Sequence, residues 1–376
     1  MSLNIILFSF PWILSIHTLF SISLLFEIYV QYIYLFTFRE HSYLLNMENV
    51  IINNIIEILK NDHQMKVKWK DAANKEYDGE LIIRANGEET GFKAEFKREI
   101  KKHNLIQLLE LKGKFDNLVV LADIIYPEIK DTLKKNNINY IDGAGNMYLR
   151  AKNIYYFIKG NRNEVAKDKF KGRLFGKGGL KIIFALQVNE DLLNKPYRDI
   201  AEETGTALGT VNYIFTELTA NKYIINLNEK TLRLNNKKDL MNKWITGYED
   251  KLKKTLFIGK FRFNNTEWKN IKLENNKTLW GGEPAAEILT HYLHPEAFIV
   301  YTKEETKELI KKYFLIPDVN GNVEVYKKFW NFDDAALNEK IVPPLLIYAD
   351  LINTGDNRNL ETAKIIYERY LQDKFE

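Results

Sequence analysis

The sequence predicts an α+β multidomain protein: an α/β domain first, a helical module closed by a short hairpin in the middle, and a mixed helix-and-strand region last. Three observations carry this. Helical and strand periodicities alternate from residue 47 to 160. Three helical patterns broken by a Gly-containing turn, then two short strand patterns, fill 178–239. Residues 240–376 mix helices with short strands and show no internal repeat. A length of 376 residues suits two or three domains, and 45% hydrophobic residues are enough for sizeable cores. There is no cysteine, which excludes disulfides, thiolate zinc sites and a cysteine nucleophile. The net charge of +4 permits nucleic-acid contact without requiring it.

Residues 1–46 form a hydrophobic leader unlike the rest. From Asn4 to Phe38, Glu27 is the only formal charge, and the first lysine is Lys60. The stretch is long enough to span a bilayer, but it lacks the basic start of a secretory signal. The alternatives are a mis-assigned start, with translation beginning at Met47, a membrane segment, or an interfacial helix. A cytoplasmic, nucleoid-associated protein is expected, tethered to a membrane only if the leader is translated.

In 47–160 the elements come in order. Val50, Ile51, Ile55, Ile56 and Leu59 mark a helix over 47–60. Val67–Trp69 reads as a short strand. Gly79–Ala85 and Phe92–Lys97 alternate around Asn86-Gly87, a hairpin signal. His103–Lys112 reads as a helix, and Asn117–Ala122 as a buried strand. Pro127–Asn136 is a helix opened by proline. Asn139–Asp142, Met147–Arg150 and Ile154–Ile158 read as strands. Asp78, followed by Glu95-Phe96-Lys97, matches the PD-(D/E)xK nuclease pattern, and the element order resembles the restriction-endonuclease-like fold. Two carboxylates, Asp78 and Glu95, would hold Mg²⁺ through oxygen, and Lys97 would stabilise developing charge or activate water. Tyr77 stands where the pattern has proline, Glu80 competes with Asp78 for the metal role, and Gln107 sits on the following helix. Glu-x-Lys is common in Lys-rich sequences, and a surface ion pair is its usual explanation. Tyr140-Ile141-Asp142-Gly143-Ala144-Gly145-Asn146, at a strand's carboxyl end, reads as a tight turn needing positive φ at its glycines.

Residues 161–177 form a basic linker with Arg162, Lys167, Lys169, Lys171, Arg173 and Lys177. In 178–239, Leu180, Ile183, Phe184, Leu186 and Val188 give one helix. Pro196, Tyr197, Ile200 and Ala201 give a second, which Gly205 breaks. Val211, Ile214, Phe215 and Leu218, at i, i+3, i+4 and i+7, give a third that ends near Asn221. Tyr223–Ile225 and Leu232–Leu234 flank Asn228-Glu229-Lys230 as a hairpin. This is the pattern of a winged helix-turn-helix. Thr206, Gly209, Thr210, Asn212 and Tyr213 suit phosphate and base-edge contact at the start of the third helix. Arg198, Lys222, Lys230 and Arg233 would seat the module on the duplex backbone. A helical module used only for protein contact is the alternative.

In 240–376, Trp280-Gly281-Gly282-Glu283 reads as the cap of a helix from Pro284 to Tyr292. Asp318–Asn322 reads as a hairpin turn rather than a calcium loop. His291 and His294 show no evident carboxylate partner. A final helix runs from Leu360 to Leu371, and Arg358 and Glu361 near its start are expected to be structural.

Several separated motifs together resemble a known family. Tyr140–Asn146, Pro196–Ala201, Leu208–Val211, Trp280–Glu283 and Pro343–Leu351, in this order, are similar to AbiEi-type antitoxins of type IV toxin-antitoxin systems, specifically the longer members with an N-terminal α/β domain. The resemblance implies an AbiEi-like domain over 240–376, operator duplex DNA as partner, repression of its own operon, and a nucleotidyltransferase-like toxin countered without a stable complex. A homodimer fits that reading. It implies no cofactor; Mg²⁺ belongs to the nuclease alternative alone.

Overall fold

The computed structural model describes residues 50–61, 65–72, 76–85, 88–152, 154–161, 173–228, 231–263, 268–332 and 339–376. The leader, Asn86-Gly87, Lys230 and the linker from Arg162 to Lys171 lie outside them. Backbone contacts divide the chain into two compact units: Met1–Arg98, Val119–Asp123 and Tyr140–Asn161, and then Glu99–Leu118, Ile124–Asn139 and Arg162–Glu376. Residues 47–160 contribute to both. Among the described residues no helix is long and apolar enough to cross a membrane.

The first unit is built on helix α1 (50–61) and a seven-stranded sheet. Its strands are β1 (Lys66–Asp71), β2 (Gly79–Ala85), β3 (Glu88–Ile100), β4 (Leu118–Ile125), β5 (Asn139–Asp142), β6 (Met147–Ala151) and β7 (Ile154–Ile158), paired in sequence order. Alternation gives the sheet a core face: Leu81, Ile83, Phe92, Ala94, Phe96, Val119, Leu121, Met147 and Leu149 pack with Ile51, Ile52, Ile55 and Leu59. Val50, expected on that stripe, is instead 62% exposed, because the buried spacing starts one residue later. β1 is twice the expected length; its alternate lysines hide a strand whose Trp69 ring covers Gly79, where a Cβ would lie 2.1 Å from it.

The turn after β5 departs from expectation at one glycine. Gly145 has φ 80, as expected. Gly143 does not; a Cβ there would meet the Asp123 carbonyl oxygen at 2.9 Å, so close approach excludes a side chain. Buried Asp142 accepts from the backbone N–H of Ala144 and Asn146 and from the Asn146 side-chain amide. Asn146 Oδ1 accepts from the N–H groups of Gly160 and Asn161. The motif is a satisfied buried polar knot.

The second unit opens with α2 (Asn104–Lys114) and α3 (Pro127–Lys135). Then come α4 (Lys177–Val188), α5 (Tyr197–Thr204), α6 (Leu208–Ala220), the antiparallel pair β8 (Ile224–Asn228) and β9 (Thr231–Leu234), and α7 (Lys237–Gly247), which runs through a π-helical turn, Tyr248–Lys253, into α8 (Lys254–Leu256). Next are β10 (Phe257–Phe263), β11 (Thr278–Gly281), α9 (Gly282–Thr290), β12 (Phe298–Thr302), α10 (Thr306–Tyr313), β13 (Leu315–Pro317) and β14 (Val323–Lys327). The chain ends with α11 (Pro344–Thr354), α12 (Asn357–Ile366) and α13 (Gln372–Phe375).

β10–β14 form a five-stranded sheet in the order β11-β12-β14-β10-β13. This corrects the hairpin expected at Asp318–Asn322: β13 and β14 both pair with β10, which lies between them. The loop must therefore cross β10, and Gly321 is required because a Cβ would fall 2.0 Å from the Phe261 carbonyl oxygen. α9 starts at Gly282, two residues before the expected Pro284. Gly281 and Gly282 (φ 49) let the chain turn from strand to helix against Tyr301 and Ile299. Glu283 accepts from the N–H of Glu296 and Ala297 and pairs with Arg358, so Arg358 is structural as expected. The final helix starts earlier than Leu360, at Asn357, with Asp356 as its N-cap.

Candidate nucleic-acid interface and carboxylate pair

α4, α5 and α6 pack around the apolar stripe read from the sequence. Val211, Ile214, Phe215 and Leu218 are all buried, and the Tyr197 and Phe215 rings lie 4.6 Å apart. Two glycines set how closely α4 meets its neighbours. A Cβ on Gly178 would touch the Thr210 methyl at 3.0 Å, and one on Gly179 would fall 1.9 Å from the Leu174 carbonyl oxygen. Pro196 fixes the entry to α5. Gly205 ends it at φ 57, and the N–H groups of Gly205 and Thr206 return to the Ala201 carbonyl.

The opposite face of α6 is open. Gly209, Asn212, Tyr213 and Thr216 are exposed there, and the Arg173 guanidinium lies 5.8 Å from the centre of the Tyr213 ring. Ala207 stands at the N-cap and no side chain caps the first turn; an uncapped helix N-terminus favours anions. Two residues expected on that face are less available. Thr206 Oγ1 lies 2.8 Å from Thr204 Oγ1, and Thr210 is half-buried against Gly178. Arg198, Lys222 and Arg233 are exposed. Lys230, at the hairpin tip, lies outside the described residues.

The clamp on the hairpin had no signal in the sequence. A 3-10 turn, Glu190–Asn194, follows α4. Asn194 bonds both the N–H and the carbonyl of Leu232, and Glu190 accepts from Leu234 N–H. These side chains satisfy the outer edge of β9 as a third strand would. A lone Asn and Glu in a polar stretch show no periodicity, so this role is visible only in three dimensions.

In the first unit, the structure brings Asp78, Glu95 and Lys97 together. Asp78 N–H donates to the Ala94 carbonyl, and Asp78 Oδ2 accepts from Phe96 N–H at 2.6 Å. Glu95 is buried on the sheet face opposite the α1 core, 2.5 Å from Lys97 Nζ. Burial holds the Glu95 carboxyl above its usual range; the Lys97 ammonium pulls it back, and the Asp78 charge pushes it up again. Glu80 is engaged by Lys93 at 3.3 Å. Gln107 is exposed on α2. Among the described residues no cluster of three or more His, Asp or Glu is arranged to hold a metal ion. The pair alone offers a cation two carboxylates, one of them ion-paired.

A second buried charge system lies within residues 240–376. Asp350, with no exposed side-chain surface, accepts from Tyr301 and Tyr248 hydroxyls and pairs with Lys253 at 2.9 Å. Lys253 also lies over the Tyr248 and Tyr326 rings. Burial lowers its pKa but Asp350 and Glu249 outweigh that, leaving it raised. Burial first, then Asp350, pushes both tyrosines well up. Lys253 is nearly a hundred residues from Asp350 in sequence, and no local pattern links them.

With this geometry in hand, the chain is an α/β protein of several helices and sheets whose second unit carries an open helix face and a hairpin. Residues 233–372 match a family model described as transcriptional regulator, AbiEi antitoxin, type IV TA system. The match starts in β9 and ends at the first residue of α13, so the likeness read from the sequence is borne out over that region, less than half of the chain. No curated protein and no solved structure matches the chain significantly.

Proposed function

We propose that this protein is a DNA-binding antitoxin that represses its own operon in a type IV toxin-antitoxin system. In this reading α4, α5, α6 and the β8–β9 hairpin act as a winged helix-turn-helix. α6 enters the major groove and the hairpin lies along the backbone. The observation that carries it is the open face of α6: Gly209, Asn212, Tyr213 and Thr216 exposed beside an uncapped helix start. Arg198, Lys222 and Arg233 supply phosphate contacts. The family match supports the regulatory and antitoxin parts. The region 240–376 would oppose a nucleotidyltransferase-like toxin without a stable complex.

The test is an electrophoretic shift with the duplex upstream of its own gene. Asn212→Ala should weaken specific binding by about 1–3 kcal/mol, and Arg233→Ala should weaken specific and random duplexes alike and flatten the salt dependence. Equal, salt-insensitive binding to any duplex, unchanged in both variants, would remove the reading.

A second reading rests on Asp78, Glu95 and Lys97 lying together: a Mg²⁺-dependent nuclease in which the two carboxylates hold the metal and Lys97 assists the attacking water. Cleavage of supercoiled DNA that needs Mg²⁺ and disappears in Lys97→Ala supports it. Inertness toward supercoiled and linear DNA over a range of Mg²⁺ concentrations excludes it.

A further inference from the structure

Strand β1 is an edge of the seven-stranded sheet and reads Lys66-Val67-Lys68-Trp69-Lys70-Asp71. Val67 turns to the α1 core, so alternation sends Lys66, Lys68 and Lys70 to the opposite face. All three are exposed, as are Arg84 on β2 and Lys60 near the end of α1. Among the described residues none of these five cations makes an ion pair. Lys66 stands directly opposite Arg84 in the β1–β2 register, and like charges so placed repel. Lys60, Lys66, Lys68 and Arg84 line one open cleft of about 330 Å³. Glu89 is its one carboxylate; it lies across from Arg84 in the β2–β3 register without pairing with it. On the same face Glu80 is held by Lys93 and Glu95 by Lys97, so neither answers the row. Asp71, at the end of β1, accepts from Trp69 Nε1 at 2.8 Å.

The row has a direction and a period. Alternate residues of a strand stand about 6.7 Å apart, which is two phosphate steps of about 3.4 Å along one strand of a duplex. A lone phosphate would answer one or two of these charges, whereas a polyphosphate backbone answers the row. No large exposed apolar side chain accompanies the lysines on β1 and β2 of the kind that anchors a face in a bilayer. The geometry points to a track along β1 for the phosphates of a nucleic-acid strand, with Lys60, Lys66, Lys68, Lys70 and Arg84 as its contacts. Such a track reads no bases, so it adds affinity and salt dependence without sequence preference. It belongs to the first unit and does not rest on the role proposed for α6.

The full-length protein is titrated with a random duplex by fluorescence anisotropy across KCl concentrations, beside a variant carrying Lys66→Ala, Lys68→Ala and Arg84→Ala. Each lost phosphate contact flattens the slope of log affinity against log salt by about 0.9, so the variant should lose about two to three units of slope. Lys66→Arg with Lys68→Arg keeps the charge and should keep the wild-type slope. Removing three exposed lysines of the second unit, Lys254, Lys307 and Lys327, should leave it nearly unchanged. No measurable binding of the random duplex, a wild-type slope in the alanine variant, or equal flattening in the second-unit variant overturns the track. So does a requirement for these residues in binding phosphatidylserine–phosphatidylcholine vesicles but not in binding the duplex. Loss of preference for the upstream duplex is a separate quantity: it removes the α6 reading and leaves the track standing.

Discussion

At the scale of single residues, four glycines and one ion pair carry most of the local logic. Gly205 sits at φ 57 with nothing near its missing Cβ, so Gly205→Ala meets backbone strain alone and should cost about 1 kcal/mol. Gly179→Ala must displace the Leu174 carbonyl and should cost more, about 3 kcal/mol. Urea unfolding of the two variants checks the order. Gly205 was legible in the sequence because it ends a periodic run. Gly179, Gly143 and Gly321 were not, because each is dictated by a chain segment distant or folded back in space. The Glu95–Lys97 pair makes a pH prediction. The Glu95 pKa is raised in the fold, so its favourable part is complete below the ordinary carboxylate range and is lost as pH rises through the raised value. Lys97→Ala removes the opposing charge and raises it further. The variant should therefore match the wild type at about pH 3.5 and fall below it at about pH 7.5 in thermal melts; an equal deficit at both values would mean that Lys97 acts by packing.

At the scale of elements, the helices and strands with clean periodicity were legible to within a few residues, since burial of one face is a local property of the chain. α6 is the plainest case: its four predicted core positions are its four buried residues. The candidate interface was legible in part. Asn212 and Tyr213 follow from the same periodicity, whereas the half-burial of Thr210 depends on Gly178, some thirty residues earlier. The clamp of Asn194 on β9 was invisible for the same reason. It predicts that Asn194→Ala, losing two hydrogen bonds to Leu232, destabilises the protein by about 1–2 kcal/mol and speeds amide exchange at Leu232 and Leu234. Exchange unchanged there would show that β9 is held by β8 alone. In the AbiEi-like region, Asp350→Asn strands the buried Lys253 ammonium and should cost about 3–5 kcal/mol, read as a lower denaturation midpoint. The misread hairpin at Asp318–Asn322 has a general cause: β13 and β14 are neighbours in sequence, but strand order in a sheet is a non-local choice.

For the whole molecule, the proposed reading places duplex-DNA recognition on α4–α6 with the β8–β9 hairpin and the antitoxin role in the region that matches the AbiEi family model, both within the second unit. The family resemblance was legible because its motifs are short, separated and ordered, and the matched region holds two of them, Trp280–Glu283 and Pro343–Leu351. Whether the carboxylate pair of the other unit has chemistry of its own is a separate matter that cleavage assays decide. The most direct test of the central claim is the affinity of the full-length protein for the duplex upstream of its own gene, measured by fluorescence anisotropy across salt concentrations against a random duplex of equal length. The account predicts a preference of at least about 10³-fold for the upstream duplex, a steep loss of affinity with salt, and most of that preference lost in Asn212→Ala combined with Tyr213→Ala. Identical affinity for both duplexes, with the double variant indistinguishable from the wild type, would contradict it.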